Sequence, residues 1–465
     1  MPSVTPADVV VLGGGPGGSV CAARLASLGR RVVVLERDRH PRFHLGESLL
    51  PGSLDVLDAI GVLDAVRSRF IVKRGARFVD GADGSRAVRY AFADAFRPRW
   101  DSAFQVPRDE FDELLFRHAG QCGATLREEW RGERVVYEDG RAAGVDAVAA
   151  DGSHERIGAR FVVDATGRDA MTARAAGGLE RIGGLDHTAL FTQVRGGFRD
   201  EGDREGDIQI ALFGHDLSGR GRVGAASSVG APSSGGEASS AHDPVRGWFW
   251  LIPFADGRTS VGAVVPSGWV RAQGGEGGPG RLFESALDLA PAVREMLAGS
   301  ERLFAPRATG DFSFRVKGLR GPGWLAVGDA AGFIDPLFST GVHLAMTGAL
   351  RAADAIHRAL DEGSVGAGSV GPRSVGAGSV GPRSVGASDA AAESTLAAWE
   401  REHRAGAELF LGAVQAFYSN ELVSYLFAEP QHPFLRRAIT SLLAGDVFDT
   451  DAVWSREMRT RFPSR

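Results

Sequence analysis

The stretch ADVVVLGGGPGGSVCAARLASLGRRVVVLE, residues 7–36, decides the fold. Asp8–Leu12 is a continuous apolar run that reads as a buried strand. Gly13, Gly15 and Gly18 follow with the spacing G-x-G-x-x-G, and SVCAARLASLG continues as a helix. Arg31–Leu35 is a second β-branched strand, ending at Glu36, so the whole is a β-turn-α-β unit. The glycines let the backbone approach a pyrophosphate at the helix N-terminus. Glu36, about 20 residues on, is placed to accept hydrogen bonds from a ribose hydroxyl. A bare glycine motif is weak evidence, but here strand, helix and acid are all in place.

At 465 residues the chain can bury a large core and form more than one sub-domain. Its 43% apolar and 24% charged content are ordinary globular values, and a net charge of -5 argues against a nucleic-acid binder. Two cysteines, Cys21 and Cys122, supply neither a disulfide framework nor a metal site. No leader peptide is visible at the N-terminus, and no apolar run approaches the ~20 residues of a membrane span. The composition predicts a soluble, cytoplasmic protein with no metal and no membrane or nucleic-acid partner. Of 53 basic residues only Lys73 and Lys317 are lysines, as a GC-rich genome produces. In that background a lysine stands out, because an amine can deprotonate and act as a nucleophile where a guanidinium does not.

Further along, Pro51–Val66 reads as helical, Phe70–Tyr90 as short strands and Val106–Ala119 as a helix. Arg134–Val148 and Arg156–Val163 read as strands, the second ending in Asp164-Ala165-Thr166-Gly167. His187–Val265 has the pattern of an antiparallel sheet, interrupted by a Gly/Ser/Ala segment, Gly214–Asp243, that reads as a mobile loop. Trp324–Val327 is a buried strand before Gly328-Asp329-Ala330, and a long helix follows over Gly341–Leu360. Gly363–Ala387 holds SVGAGSVGPR twice in tandem and part of a third copy, too short for a solenoid repeat and too rich in Gly and Pro for helix or strand; it reads as a disordered linker. Ser394–Tyr425 is an amphipathic helix, with more helix beyond it.

FVVDATGR (161–168), GWLAVGDAAGFIDP (323–336) and VPRDEFD (106–112) resemble segments of the p-hydroxybenzoate-hydroxylase-like flavoproteins. The resemblance implies FAD, bound by Gly13, Gly15, Gly18, Glu36 and Arg37, with Asp329 and Pro336 along the pyrophosphate and ribityl chain and Arg108 near the flavin. No second glycine motif serves a nicotinamide, so reduced flavin is expected from a separate reductase. The fold implied is mixed α/β (α+β): a Rossmann-like FAD-binding domain in three segments, 1–72, 106–186 and 319–362. A substrate domain fills 73–105 and 187–318 with an antiparallel sheet, and the linker 363–392 leads to a helical region, 393–465.

Residues 248–253 read Trp-Phe-Trp-Leu-Ile-Pro. Trp248, Trp250 and Ile252 share one face of a strand that Pro253 ends; taken alone, this is a half-buried strand with an aromatic side toward the core. The hexapeptide also fits W-x-W-x-I-P, and the chain resembles the flavin-dependent halogenases over nearly its whole length. PRFHLGESLLP (41–51) resembles the branch acting on phenols, pyrroles and carrier-tethered acyl groups, which puts Glu47 and Ser48 beside the isoalloxazine. In that family FADH2 and O2 convert chloride or bromide to hypohalous acid, which travels through an interior tunnel to a lysine beside the substrate. Lys73 stands at that position, and Lys317 reads as a surface lysine. An ammonium that hydrogen-bonds HOCl, or an amine that becomes a chloramine, can steer the electrophile; an arginine does this poorly.

PLFSTGVHLA (336–345) sets Ser339, Thr340 and Gly341 at the mouth of a helix, where the family's halide sits among backbone N–H groups. An ordinary N-cap by Ser339 or Thr340 is compatible with this. Tryptophan halogenases carry a glutamate just before this Ser-Thr-Gly, whereas this chain has Phe338, which points to a ring activated by its own heteroatom. Trp248 and Trp250 would then wall the flavin from the substrate and hold back water. The resulting expectation is an FADH2- and O2-dependent halogenase, a chlorinase, of a phenol or pyrrole, free or on an acyl or peptidyl carrier protein. An aromatic hydroxylase of the same fold, an ene reductase resembling geranylgeranyl reductases, and a flavin-binding scaffold without catalysis remain open beside it.

Overall fold

In the computed structural model, which describes residues 7–218, 245–274, 277–310, 312–365 and 387–465, the run Ala7–Leu12 is an inner strand of an eight-stranded sheet. It pairs in parallel with Val32–Glu36 on one side and His154–Asp164 on the other. Thr125–Glu128 extends the parallel set at one edge and Trp324–Ala326 at the other. The two inner runs are β-branched, apolar and buried, as strands covered on both faces by helices must be. Pro16–Ser27 packs between the sheet and two further helices, Arg108–Gln121 and Thr340–Val365. Trp130–Glu138 and Arg141–Ala149 form an antiparallel extension on the outer part of His154–Asp164.

A second eight-stranded sheet runs in the order Glu301–Arg302, His187–Arg195, Arg258–Pro266, Gly247–Pro253, Ile208–Phe213, Gly75–Asp80, Ala87–Ala91, with Arg307–Gly310 also on His187–Arg195. It is antiparallel except for one pair, since Ile208–Phe213 and Gly75–Asp80 run parallel. That pair joins segments remote in the chain, a crossover that the expectation of an antiparallel sheet did not contain. Gly247–Pro253 is buried on both faces, which corrects the half-buried reading. Phe249 and Leu251 join a core with Phe213, Phe283 and Val293, whereas Trp248, Trp250 and Ile252 join the main core with Phe78, Phe338 and Phe417. Burying each such side chain contributes about 1.5–3 kcal/mol relative to exposure.

The helices differ from the sequence reading in their breaks. Pro51–Val66 is a turn at Pro51–Ser53 followed by helices Leu54–Ala59 and Leu63–Arg69, interrupted near Gly61, whose φ is +79°. The helix expected over 394–425 is two, Ala387–Tyr418 and Glu421–Leu426, because Asn420 turns left-handed at φ +69°. Ala387–Tyr418 begins inside the stretch assigned to the linker, and the preceding helix reaches Val365. The rest of the tandem repeat, 366–386, and most of the Gly/Ser/Ala segment, 219–244, lie outside the described residues. Among the described residues no helix is long and apolar enough to cross a membrane.

Candidate active site

The glycine turn is built from three different requirements. Gly13 has φ +104°, and a Cβ there would lie 2.2 Å from the Ala165 carbonyl oxygen. A Cβ on Gly18 would lie 2.0 Å from the carbonyl oxygen of Gly13, so both positions are closed by backbone. Gly15 is open: the nearest atom to a Cβ would be the Arg42 Nη2, at 3.6 Å. Glu36 holds the turn, accepting from the Gly14 N–H at 2.7 Å and the Asp38 N–H at 2.9 Å. Arg37 stands apart from this, exposed at the strand end and paired with the exposed Asp169.

The residues expected near the flavin converge beside the turn. Arg108 is buried at the start of its helix and holds Asp112 through Nε at 2.7 Å and Nη2 at 3.0 Å, while Nη1 donates to the Leu45 carbonyl. Asp329 is half-buried in the turn after Trp324–Ala326; burial pushes its carboxyl up to about 6, and Arg108 and Arg168 pull against that. Ser48 is buried, and its Oγ has no partner among the described residues. An open glycine at a helix N-terminus, a fixed guanidinium and a polar side chain left unmatched fit a flavin dinucleotide, whose pyrophosphate would sit at Gly15 and the N-terminal turn of Pro16–Ser27, and which Asp329, Arg108, Glu47 and Ser48 would hold as the resemblance expects.

Two hydrogen-bonded chains fix the tryptophans. Trp250 Nε1 donates to Ser260 Oγ at 3.1 Å, and Ser260 Oγ donates to Glu47 Oε2 at 2.7 Å. Gln193 Nε2 donates to the other oxygen of Glu47 at 3.1 Å. Burial pushes the Glu47 carboxyl up to about 7, against the pull of these two bonds. Trp248 Nε1 donates to Tyr418 Oη at 3.0 Å, and Tyr418 in turn donates to Asp335 Oδ2 at 3.0 Å. Asp335 Oδ1 accepts the Leu337 N–H at 2.9 Å, and burial holds this carboxyl up to about 7. The two indoles lie 5.9 Å apart, tilted by 51°. One is therefore tied to the segment expected at the flavin, the other to the turn before Thr340–Val365.

That turn places Pro336, half-buried, two residues before Phe338, which is buried against the edge of Phe417. Ser339 is left-handed at φ +57°, unlike the extended backbone of a usual N-cap, and its N–H bonds the Pro336 carbonyl at 3.0 Å. The helix starts at Thr340, so the N–H groups of its first turn have no partner within the helix. Thr340 and Gly341 line a groove that also runs along Gly328, Ala331 and Phe333, which brings the expected anion seat and the Gly-Asp turn to one opening.

Lys73 does not share that groove. It ends the strand Ile71–Lys73, paired with Ala103–Gln105, and is 1% exposed. Nζ donates to the Leu49 carbonyl at 3.1 Å and lies 5.1 Å from the centre of the Phe92 ring. Burial lowers its ammonium to about 7, against the attraction of Asp207. Leu49 follows Glu47 and Ser48 directly, so one short segment serves both places. Lys317 is exposed and paired with Glu180 at 3.2 Å.

Sequence reasoning did not find Ser260, Gln193, Tyr418, Gln105 or Asp207. None belongs to a local motif; each is brought in by tertiary pairing. Asp335 was inside a quoted motif, and its adjacency to the Ser-Thr-Gly turn was the available signal.

A family model described as FAD binding domain matches residues 6–195, and one described as tryptophan halogenase matches residues 224–365. The 1H-pyrrole-2-carbonyl-[peptidyl-carrier protein] brominase of Pseudoalteromonas luteoviolacea (strain 2ta16) is 30% identical over 362 residues, covering 76% of this chain and 78% of that protein. The flavin-dependent halogenase armH5 of Armillaria mellea is 33% identical over 365 residues, 75% of this chain; the match spans 64% of that longer relative, less than two thirds of its length. Among solved structures, a flavoprotein/dehydrogenase from Cytophaga hutchinsonii superposes with a TM-score of 0.79 at 26% identity, covering 98% of this chain and 97% of that one.

Proposed function

Because the chain belongs to the flavin-dependent halogenases, we propose that it chlorinates an electron-rich aromatic ring, a phenol or a pyrrole, with FADH2 and O2 as co-substrates. Reduced FAD, once bound, supplies the two electrons with which O2 turns a halide and a proton into hypohalous acid and water. The rest falls to the chain's own side chains.

The observation that carries this reading is Lys73: a buried amine held near neutrality, in a protein with two lysines. Near pH 7 both of its forms are populated. The ammonium can donate a hydrogen bond to the oxygen of hypohalous acid; the amine can take the halogen onto nitrogen, releasing water. In either case the ring exchanges C–H for C–Cl: attack on hypochlorous acid sends the displaced proton out with the oxygen as water, whereas attack on the chloramine returns that proton to the Lys73 nitrogen and restores the amine. The N–H groups of Thr340 and Gly341, which have no partner within their helix, offer a seat for the halide that discriminates chloride from bromide only by size. Trp248 and Trp250, each fixed by its indole hydrogen bond, stand as a wall that keeps the oxidising site from the substrate and from bulk water.

Phe338 supports an activated ring. It is buried and apolar where a carboxylate would be needed to assist a less reactive one. The carrier-protein substrate in the name of the Pseudoalteromonas relative supports a ring presented on a carrier protein over a free one. A separate flavin reductase is the source of FADH2.

Supplying FADH2, O2 and chloride, with bromide in parallel, tests the reading. Halide-dependent hypohalous acid or halogenated product is expected; a hydroxylated product indifferent to halide would overturn it.

A further inference from the structure

The β-bridge register around Lys73 brings two further polar side chains to its face. Gln105 pairs with Ile71 in one strand and with Ser48 across the other side, while Lys73 pairs with Ala103. Partners in such pairs, and residues two positions along, present their side chains to the same face of a sheet. Lys73, Gln105 and Ser48 therefore share one face, and all three are buried. Lys73 and Gln105 stand in the diagonal relation, roughly 7–8 Å between backbones, within reach of two long side chains.

Their hydrogen-bonding capacity is complementary and unspent. Lys73 uses one donor, on the Leu49 carbonyl. Gln105 Nε2 donates to the Gly206 carbonyl at 2.8 Å, which leaves Oε1 with no partner among the described residues. Ser48 Oγ is likewise unpartnered. A buried acceptor left unmatched is costly, and Gln105 Oε1 is one, on the sheet face it shares with Lys73. What matches an amine donor on one side and a carbonyl acceptor on the other is a small molecule with one accepting oxygen and one O–H.

We infer that Gln105 completes the cradle for hypohalous acid that Lys73 begins, with Ser48 as the polar step leading to it from the Glu47 side. Lys73 donates to the oxygen of HOX, and Gln105 Oε1 accepts its O–H. The halogen is then held in one orientation. This rests on the halogenase reading of the preceding subsection.

Two substitutions separate this role from a structural one. Gln105→Met removes both the acceptor and the bond to Gly206; Gln105→Glu removes that bond but keeps an acceptor. With FADH2, O2 and chloride, Gln105→Met should lower halogenated product by about tenfold while oxidant captured by an added external thioether rises, and Gln105→Glu should retain most of the product. Equal loss in both variants would assign Gln105 to holding Gly206 alone, and no loss in Gln105→Met would remove it from the site; either overturns the inference while wild-type halogenation leaves the parent reading standing. Absence of halogenation in the wild type would strike the parent reading instead. A second measurement needs no flavin. With ε-13C-labelled lysine the protein gives two lysine side-chain signals, and Gln105→Glu should move the Lys73 titration to higher pH, since a carboxylate beside it favours the ammonium. An unmoved titration would show that the two side chains do not meet, and would overturn the cradle.

Discussion

The indole of Trp250 lies over Gly262, its partner on the neighbouring strand, so closely that a Cβ on residue 262 would sit 2.2 Å from Cζ2. Only a bare position lets the ring lean across the strand and set Nε1 on the Ser260 hydroxyl. Gly262→Ala should displace the ring and cost about 1–3 kcal/mol by overpacking. Urea unfolding reads that loss. Halogenated product per FADH2 consumed should fall with it, by about tenfold, because a displaced wall no longer separates oxidant from water.

The three glycines of the turn should respond differently. Gly13→Ala and Gly18→Ala place a methyl inside backbone contact distance and should prevent folding. Gly15→Ala has room and should yield a folded protein whose methyl occupies the space in front of the helix N-terminus. Its affinity for FAD, read by flavin fluorescence quenching, should drop by about tenfold or more. Unchanged FAD affinity in a folded Gly15→Ala protein would remove the turn from the cofactor site.

Lys73→Met should abolish halogenation yet leave FADH2 oxidation by O2 in place. It should also stabilise the protein, with a definite pH dependence. The folded-state value near 7 lies below that of a free lysine, so the unfolded chain binds more protons between about 7 and 10. Wild-type stability on this account rises with pH across that window and carries its full penalty below it. The advantage of Lys73→Met should therefore be greatest at pH 7 and below, a few kcal/mol as an order of magnitude, and vanish toward pH 10. Thermal melts across pH 6–10 check the sign.

Tyr418→Phe removes an oxygen that accepts from Trp248 and donates to Asp335. Two buried groups lose a partner at once, at about 1–3 kcal/mol each. The loss should be larger above pH 7 than at pH 5, because the Asp335 carboxyl, held up to about 7, needs the phenol donor most when ionised. Chemical denaturation at the two pH values measures the difference.

How much of this was legible in the chain depends on distance along it. The β-turn-α-β unit, the Gly-Asp turn and the Trp-x-Trp strand are runs of adjacent residues, and local physics shapes them. Ser260 and Glu47 are 213 positions apart, Trp248 and Tyr418 170. No periodicity links such pairs; strand register and helix docking do. Two departures were nearer to hand. Five consecutive apolar residues at 248–252 are the mark of a strand covered on both sides, which the alternation of the tryptophans concealed. Asn420, a residue tolerant of left-handed backbone, marks the break in the helix that was read as continuous to 425.

The strand Gly247–Pro253 divides two cores, and that division bears on how the protein can be altered. Phe249 and Leu251 answer to the helices beneath the second sheet; Trp248 and Trp250 answer to Tyr418 and Ser260. Alternate letters of one short word therefore serve different cores. A combinatorial library restricted to Phe249, Leu251, Phe213 and Phe283 varies one core and leaves the indole hydrogen bonds in place, whereas one at Trp248 and Trp250 changes the main core and those bonds together.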